Sequence, residues 1–341
     1  MISSTPGRVN LLGEHTDYNG GFVLPCAVDR EIRIDYEESE RFELYSDFFK
    51  EKVTSEDPFT GWKSYVLGTR REISNRYRTR EITGTIESTI PVGSGLSSSA
   101  ALEVAVALAI LRNRKRAQPM RIARICRMAE HRYAKVKCGI MDQASVMLSK
   151  KDCLFFLDCR NLSYSHVPFD ASMVIVESGT KHELSASYYN ERVSECRMAA
   201  RALGVKDLRD AWEKELELNR LESGLRKRTL HFFGEMDRAV EAVDVLKAGD
   251  MQRFGELMNL SHASLSHEFE VSTPLMDGLQ KKLAALCYGA KLTGAGFGGS
   301  VVGVCDKDLK EEKRREIKKA FEDFAVHFLK SSDGAWFRTQ A

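Results

Sequence analysis

The chain has 341 residues, of which 43% are hydrophobic and 29% are charged, and its formal net charge is +2. This length exceeds that of one compact core, so two domains are expected, and the apolar content excludes an intrinsically disordered chain. The small net charge singles out no class of partner. No signal peptide is recognisable, and the longest apolar run, residues 100–111, contains Glu103 and is too short to cross a bilayer. We therefore expect a soluble, cytoplasmic protein with no membrane partner.

Short strands are predicted to dominate the first 90 residues, at 22–28, 31–36, 42–45 and 82–90, with one amphipathic helix at 62–77 between them. Helices are then predicted at 98–112, 120–134 and 139–148, and strands at 153–158 and 173–178. The remainder reads as mainly helical, with a late strand at 300–305. Runs of strands followed by runs of helices, rather than strict alternation, predict an α+β protein. A domain seam is expected within residues 160–172.

The cysteines and the charged stretches are interpreted as structural features. Eight cysteines occur without a CxxC pair or the spacing of a zinc site, so reduced thiols are expected. Residues 112–127 contain seven basic residues without an acid, but no aromatic residues alternate with them as in single-strand nucleic-acid sites. No nucleic-acid partner is therefore expected. Residues 307–324 carry apolar residues at helical spacing and predict an amphipathic surface helix.

Three glycine-rich segments carry the chemistry of the chain. They are PGRVNLLGEHTDYNGG at residues 6–21, PVGSGLSSSA at 91–100 and LTGAGFGG at 292–299. The second segment leads into a helix that is apolar on nearly every side, so its N-terminus is expected to be buried and fixed. Free N–H groups, the helix dipole and nearby hydroxyls there favour a phosphate, although an ordinary serine-capped helix is the alternative. The predicted ATP-binding residues are Gly93, Ser94, Gly95, Leu96, Ser97, Ser98 and Ser99.

Residues 91–101 resemble the second motif of the GHMP small-molecule kinases, a superfamily named for galactokinase, homoserine kinase, mevalonate kinase and phosphomevalonate kinase. Residues 7–25 resemble the galactokinase signature, the segment CGIMDQ at 138–143 is similar to the catalytic segment of galactokinases, and residues 292–299 resemble the third motif. The resemblance implies the two-domain α+β GHMP kinase fold, with the active site between the lobes. The domains would be residues 1–165 and 166–341.

Four polar residues of the first segment, with one tyrosine further along, are candidates for binding a sugar. Carboxylates and an imidazole suit the fan of hydroxyls on a monosaccharide, because each hydroxyl both donates and accepts. For an isolated segment, charged turn residues before a hairpin would be the simpler interpretation. By resemblance to galactokinases, the substrate-binding residues are Glu14, His15, Thr16, Asp17 and Tyr189.

The resemblance assigns catalysis to Asp142 and Arg8. Phosphoryl transfer needs a hydroxyl held in line with the γ-phosphorus and a group that takes its proton. An arginine beside Asp142 would keep that carboxylate ionised and therefore a weak base, so base catalysis and positioning both stay open. A helix-capping role is the structural alternative for Asp142. Glu130 and Ser99 are by resemblance the ligands of Mg²⁺, and Glu130 could instead belong to the polar face of a helix.

The implied reaction is ATP-dependent phosphorylation of galactose at its anomeric hydroxyl. A related sugar-1-kinase acting on N-acetylgalactosamine or arabinose is a close alternative, and a non-catalytic sensor of galactose and ATP is a third. Three positions depart from the galactokinase pattern: Lys135 replaces a glycine, Ala144 a phenylalanine and Val193 an arginine. The sequence leaves the oligomeric state open, and a monomer is expected.

Overall fold

A mixed five-stranded sheet forms the N-terminal part of the protein. The computed structural model describes residues 1–91, 93–180 and 185–338. The strands of this sheet lie in the order β1-β3-β6-β4-β5, with β4 and β6 parallel and the other pairs antiparallel. Their bounds are Ile2–Asn10 for β1, Pro25–Glu38 for β3, Glu43–Ser46 for β4, Glu51–Thr54 for β5 and Ile82–Ser88 for β6.

Helix α2 (Ser98–Ile110) lies at the centre of this half of the molecule. It packs against β1, β3 and three further helices, which are α1 (Lys63–Ser74), α3 (Pro119–Ala129) and α4 (Met141–Leu148). Every residue of α2 from Ala100 onward is buried, as its apolar sequence predicts. A π-helical turn, Glu130–Ala134, continues directly from α3. The body of α2 is therefore packed on all sides, which fixes the position of its more exposed first residues.

Two further sheets follow. The first joins β2 (Phe22–Val23), β7 (Cys153–Asp158) and β8 (Tyr164–Pro168). The second is antiparallel in the order β10-β11-β9-β12, with β9 at Ala171–Glu177, β10 at Gly289–Thr293, β11 at Ser300–Asp306 and β12 at Val326–Leu329. The helices of this part are α5 (Ser185–Ala202), α6 (Leu208–Glu213), α7 (Ser223–Lys247), α8 (Met251–His267), α9 (Pro274–Ala284) and α10 (Glu311–Ala320). A short last helix, α11 (Ala335–Arg338), returns to the N-terminal part and packs on α4 and β1.

The predicted α+β class is confirmed, and the differences lie mainly in the strands. Strand β1 was not predicted, because Pro6 and Gly7 within it read as a turn. The strand tolerates Pro6 because it lies at the edge of its sheet, where a missing N–H leaves no neighbour unpaired. The predicted strands at 22–28 and 31–36 are instead the short β2 and one long β3. The predicted helix at 120–134 changes to the π-helical turn after Ala129.

Three further expectations from the sequence can be compared with the structure. All eight cysteines are free thiols, four of them buried and four half-buried. Within the described residues, no helix combines the length and the apolar character needed to cross a membrane. The predicted amphipathic helix near the C-terminus is α10, which turns Ile317 into the core.

Candidate active site

A pocket of about 260 Å³ lies between the two halves of the molecule. Strand β1, the loop after it and α4 supply one wall, while α5 and the loop after β10 supply the other. Gly294 and Ala295 of the third glycine segment belong to this lining. The pocket brings together seven residues that the sequence predicts, namely Arg8, Glu14, His15, Asp17, Glu130, Asp142 and Tyr189.

Arg8 and Asp142 form a two-pronged ion pair in this pocket. Arg8 donates one hydrogen bond from Nε to Oδ1 of Asp142 and another from Nη2 to Oδ2, and both donor–acceptor distances are 2.8 Å. The hydroxyl of Ser97 donates to Oδ2 at 2.5 Å, and Nη1 of Arg8 donates to the carbonyl of Gly95 at 2.6 Å. Such paired, charge-assisted hydrogen bonds fix both the position and the orientation of a carboxylate. The side chain of Asp142 keeps 24% of its surface exposed, so substrate can reach it.

Asp17 lies beside this pair on the turn after β1. Its carboxylate accepts from the backbone N–H groups of Tyr18, at 3.0 Å, and Met141, at 3.4 Å. Burial, followed by the nearby negative charge of Asp142, raises the pKa of Asp17 to about 7. Gly139 is necessary for this arrangement, because a Cβ at that position would lie 1.9 Å from Oδ2 of Asp17. Asp17 can therefore change its charge near neutral pH.

Glu14 and His15 complete the polar wall. Glu14 is buried and accepts a hydrogen bond from Lys291 Nζ at 2.6 Å. His15 adopts a left-handed backbone (φ 61°) and packs against Tyr189 and Phe269. Burial, helped by neighbouring positive charges, lowers the pKa of His15 to about 3, so the ring is neutral at pH 7. Within the described residues, its buried Nε2 makes no well-formed hydrogen bond, although the backbone of Ala295 lies close to the ring.

Thr16 is the one predicted sugar residue that the structure keeps out of the pocket. It is fully buried, and its hydroxyl is 2.9 Å from the carbonyl of Gly13 and 2.7 Å from that of Phe22. These contacts close the turn between β1 and β2. A Cβ added at Gly21 would lie 2.5 Å from Thr16, which shows how tightly this turn is packed. The hydroxyl of Thr16 therefore serves to form this turn, and a contact between Thr16 and the substrate stays a prediction.

The predicted phosphate loop precedes α2, and only part of it faces solvent. Gly93 and Gly95 have φ values of 80° and 74°, which favour glycine. Ser94 and Leu96 are buried, and Ser94 bonds back to the carbonyl of Pro91. Gly93 and Ser98 are exposed, whereas Gly95, Ser97 and Ser99 are half-buried. The loop thus presents its glycine backbone and the hydroxyls at the start of α2. Val92, part of the same motif, lies outside the described residues.

The third glycine segment packs directly on this loop. A Cβ at Gly95 would lie 2.9 Å from the carbonyl oxygen of Thr293, and one at Gly294 would lie 3.2 Å from the Cα of Gly95. Both glycines have positive φ values, so this close approach of two backbones excludes larger residues. Segments that are 200 residues apart in the sequence therefore form one backbone cradle.

Glu130 opens the π-helical turn and points inward. Its carboxylate accepts from Gln143 Nε2 at 2.7 Å and from Cys138 Sγ at 3.2 Å. Burial and the charge of Asp142 raise the pKa of Glu130 to about 7, although hydrogen bonds from Cys138, Gln143 and Ser99 oppose this shift. Glu130 is therefore not part of a solvated helix face. Its oxygens and the Ser99 hydroxyl are hard donors of the type that Mg²⁺ prefers.

These donors cannot form a complete metal site without other ligands. Among the described residues there is no group of three or more His, Cys, Asp and Glu side chains that could hold a metal ion. Two protein oxygens fit Mg²⁺ that is mainly held by phosphates and water, as is usual for nucleotide-bound magnesium. The residues present therefore suit the ion only together with a nucleotide.

A second cavity of about 450 Å³ opens on the other side of the phosphate loop. Its lining is mainly apolar and includes Phe49, Trp62, Tyr65, Ser98 and Ser99. The rings of Phe49 and Trp62 stack at 5.1 Å with an interplanar angle of 7°. Tyr65 also lines the first pocket, so the two cavities are neighbours.

Several residues of the site carried no recognisable signal in the sequence. Tyr65 reads as an ordinary aromatic residue of an amphipathic helix, and Lys291 as one polar residue in a short strand. Gly139 was part of the recognised CGIMDQ segment, and its need for space beside Asp17 became visible only in three dimensions. These roles depend on contacts between segments that lie more than 100 residues apart.

Comparison with known proteins agrees with this geometry. A two-lobed α+β fold with a glycine-rich loop before a buried helix, and an arginine–aspartate pair beside it, defines a small-molecule kinase of the GHMP class. The models for the GHMP kinase N-terminal and C-terminal domains match residues 64–150 and 240–323, and the galactokinase galactose-binding signature matches residues 1–36. The galactokinase of Thermotoga petrophila is 40% identical over 98% of this chain and 99% of its own length. The chain belongs to the galactokinase family.

Other relatives and solved structures extend this result. The galactokinase of Pyrococcus furiosus is 37% identical over 97% of each chain. The crystal structure of Lactococcus lactis galactokinase complexed with galactose superposes with a TM-score of 0.86, at 30% identity, over 98% of this chain and 94% of that one. The mevalonate kinase of Methanococcus jannaschii shares the fold with a TM-score of 0.71 at 21% identity. The predicted GHMP fold is confirmed, and the chain is an ATP-dependent sugar kinase.

Proposed function

We propose that this protein transfers the γ-phosphoryl group of ATP to the anomeric hydroxyl of D-galactose, giving galactose 1-phosphate and ADP. The observation that carries the proposal is the single pocket in which Glu14, His15, Asp17 and Tyr189 surround the Arg8–Asp142 pair. With a volume of about 260 Å³, the pocket is smaller than sites for drug-sized ligands, which span roughly 300–1,000 Å³, and suits a monosaccharide. Its polar walls match the hydroxyl groups of a sugar.

In the proposed mechanism, Asp142 accepts a hydrogen bond from the anomeric hydroxyl and aims its oxygen at the γ-phosphorus. The new O–P bond forms as the bond from the γ-phosphorus to the β–γ bridging oxygen breaks, and the hydroxyl proton passes to Asp142. Three hydrogen bonds from Arg8 and Ser97 already hold this carboxylate in one position and orientation. Positioning therefore contributes a large part of its effect, as in other phosphoryl transfers. Arg8 offsets negative charge that develops beside it.

We place the ATP phosphates at the exposed start of α2 and the adenine base in the second cavity. The stacked rings of Phe49 and Trp62 offer an apolar surface for a base, and Ser98 and Ser99 join that cavity to the phosphate loop. Glu130 and Ser99 would hold Mg²⁺ together with the nucleotide. When bound, the ion neutralises charge on the β- and γ-phosphates. Burial of Glu130 beside Asp142 supports this placement, since a cation there would relieve the repulsion between two carboxylates.

We further propose that the N-terminal domain ends near residue 165 and the C-terminal domain begins near residue 166. A change of sheet supports a boundary close to this point, between the end of β8 at Pro168 and the start of β9 at Ala171, because β8 pairs with β7 whereas β9 belongs to the sheet of β10, β11 and β12. We also propose that the protein is a monomer and that it is located in the cytoplasm. The eight free thiols are consistent with a reducing compartment.

A panel of sugars assayed with Mg-ATP tests the proposal, with phosphorus NMR to locate the new phosphate. Galactose should be used far better than glucose, its C4 epimer. The two sugars have the same size, so discrimination must come from a buried polar group that the wrong epimer leaves unpaired, at roughly 1–3 kcal/mol per group. Comparable kcat/KM values for the two epimers would contradict the assignment.

The same panel separates the alternatives. If the protein prefers N-acetylgalactosamine or arabinose, that sugar replaces galactose as the proposed substrate, and the proposed reaction, phosphorylation of the anomeric hydroxyl, is unchanged. Binding of galactose and ATP without turnover would identify a sensor instead. The intact Arg8–Asp142 pair and the glycine-rich loop favour an enzyme over a sensor.

A further inference from the structure

A fully buried lysine of the C-terminal half contacts the predicted sugar acid Glu14. Lys291 lies in β10, has no exposed surface, and donates from Nζ to Oε2 of Glu14 at 2.6 Å. Asn10 Nδ2 donates to the same oxygen at 3.1 Å. Among the described residues none donates a side-chain or backbone hydrogen bond to Oε1, while Glu14 as a whole lines the pocket. One carboxylate oxygen is thus held by the protein and the other is left for a ligand.

The backbone of the same segment is also held by the C-terminal half. Glu235 of α7 accepts at Oε1 from the N–H groups of Gly13, at 3.0 Å, and Glu14, at 3.1 Å. The ring of His231, also on α7, lies 3.1 Å from the carbonyl oxygen of Glu14. The next residue, His15, has a left-handed backbone that a non-glycine residue adopts only when its surroundings impose it. The contacts from α7 are suited to imposing it.

Stability alone does not account for a lysine in this position. Removing an ammonium and a carboxylate from water is costly, and replacing a buried ion pair by apolar residues of similar volume is often neutral or stabilising. A buried pair can instead specify one geometry among several. The geometry specified here is the orientation of the carboxylate that faces the pocket.

We propose that Lys291 is a positioning residue for sugar binding, which acts only through Glu14 by holding one of its oxygens and turning the other toward a sugar hydroxyl. This inference rests on the proposed function, since it requires that Glu14 contacts the sugar. The contact between Lys291 and Glu14 makes the affinity for galactose depend on a residue that lies in the C-terminal half of the molecule, behind the wall of the pocket. ATP binding should not depend on it, because Lys291 lines neither cavity.

Steady-state kinetics of Lys291→Met test the inference, because methionine fills a similar volume without the charge. We expect the KM for galactose to rise about ten- to a hundredfold, as for loss of a hydrogen bond to a charged group, with the KM for ATP within about twofold of the parent. Lys291→Arg, which keeps a charged donor, should recover part of the loss. Lys281→Met, an exposed lysine of α9, is the matched control and should behave as the parent. Equal changes in both KM values, or none, would overturn the inference.

A double-mutant cycle with Glu14→Gln shows whether Lys291 acts through Glu14. Galactose binding is measured by calorimetry in the parent, in each single variant and in Glu14→Gln/Lys291→Met. If Lys291 acts only through Glu14, the double variant should bind galactose no more weakly than Glu14→Gln alone. Additive losses would refute the inference. The double variant leaves no unpaired buried charge, so it supplies the result even if Lys291→Met does not fold.

The outcome is separable from that of the proposed function. A parent protein that does not use galactose contradicts the proposed substrate, and the cycle is then measured with the sugar that it does use. If the parent protein uses galactose but the two substitutions weaken galactose binding additively, only the proposed role of Lys291 is contradicted.

Discussion

Asp142 shows how a single residue can be assigned a role from its contacts. It receives two hydrogen bonds from Arg8 and one from Ser97, so the position and direction of its carboxylate are fixed by the protein. A helix-capping role is not supported, because Asp142 lies within the first turn of α4 and its carboxylate is engaged by β1 and the phosphate loop. The carboxylate therefore offers a substrate hydroxyl a well-placed hydrogen-bond acceptor.

We predict that Asp142→Ala lowers kcat by about 10²–10⁴, the usual contribution of a positioned proton acceptor, while ATP still binds. The measurement is turnover with galactose and Mg-ATP, with nucleotide affinity determined separately by calorimetry. Asp170→Ala is the matched control, since Asp170 is exposed and forms an ion pair with the surface residue Lys307. Turnover of the Asp142 variant within about tenfold of the parent would show that the assignment is wrong.

At the scale of elements, the short loop between the π-helical turn and α4 is constrained by its contacts with Asp17. Gly139 in this loop leaves room for the carboxylate of Asp17, and Met141 donates its N–H to the same carboxylate. Lys135, where galactokinases usually have glycine, ends the π-helical turn in a left-handed conformation (φ 62°). That conformation costs a non-glycine residue roughly 1–2 kcal/mol, so this departure from the family pattern carries local strain.

We predict that Gly139→Ala raises the KM for galactose by at least about tenfold, because the added Cβ displaces the Asp17 carboxylate. The KM for ATP should change little. Gly224→Ala is the control, since a Cβ there meets no atom within 4 Å. A folded Gly139→Ala protein with an unchanged KM for galactose would remove Asp17 from the sugar site.

A second prediction at this scale concerns the π-helical turn that carries Glu130. Glu130→Gln should raise the Mg²⁺ concentration needed for half-maximal rate, because an amide binds a hard cation less well than a carboxylate. The change should amount to about tenfold or more, measured by magnesium titration at saturating ATP and galactose. Glu312→Gln on the exposed first turn of α10 is the control. An identical titration curve for both variants would contradict a metal role for Glu130.

For the whole molecule, buried groups of two kinds set how stability depends on pH. The buried rings of His15 and His231 have pKa values lowered to about 3 and about 4, mainly by burial, so they add stability as the pH rises toward 6.5. Asp17 and Glu130 act in the opposite sense, because their pKa values rise from 3.8 and 4.5 to about 7. The stability that these two carboxyls contribute is complete below about pH 4 and is lost as the pH rises through 7.

We therefore predict that the carboxyls of Asp17 and Glu130 lower the free energy of unfolding of the ligand-free protein, by on the order of 1 kcal/mol, as the pH rises from 6.5 to 8. Histidines of the unfolded chain still release protons in this interval and oppose the loss, so the contribution of the two carboxyls is obtained as the difference between the parent and a variant that lacks both. Urea unfolding at several pH values measures it, and the Asp17→Asn/Glu130→Gln double variant should lack this loss. An equal slope in parent and variant would place the responsible groups elsewhere.

Much of the catalytic site was predictable because its residues fall in short contiguous motifs. Glu14, His15 and Asp17 lie within four residues of one another, and all of them reach the predicted pocket. Thr16, in the middle of that segment, does not, because its hydroxyl closes the turn instead. A motif names a segment, and the backbone conformation decides which of its side chains face the ligand.

The sequence by itself determined the α+β class, the buried helix behind the phosphate loop and the resemblance to galactokinases, because these depend on local patterns of apolar residues, glycines and polar groups. Only the tertiary structure decided that β1 continues through Pro6 and Gly7, that Gly139 makes room for Asp17, and that Lys291 pairs with Glu14. Lys291 and Glu14 are 277 residues apart, and no local propensity relates them. Their contact exists because both halves of the molecule pack around one pocket, and packing is a property of the folded chain.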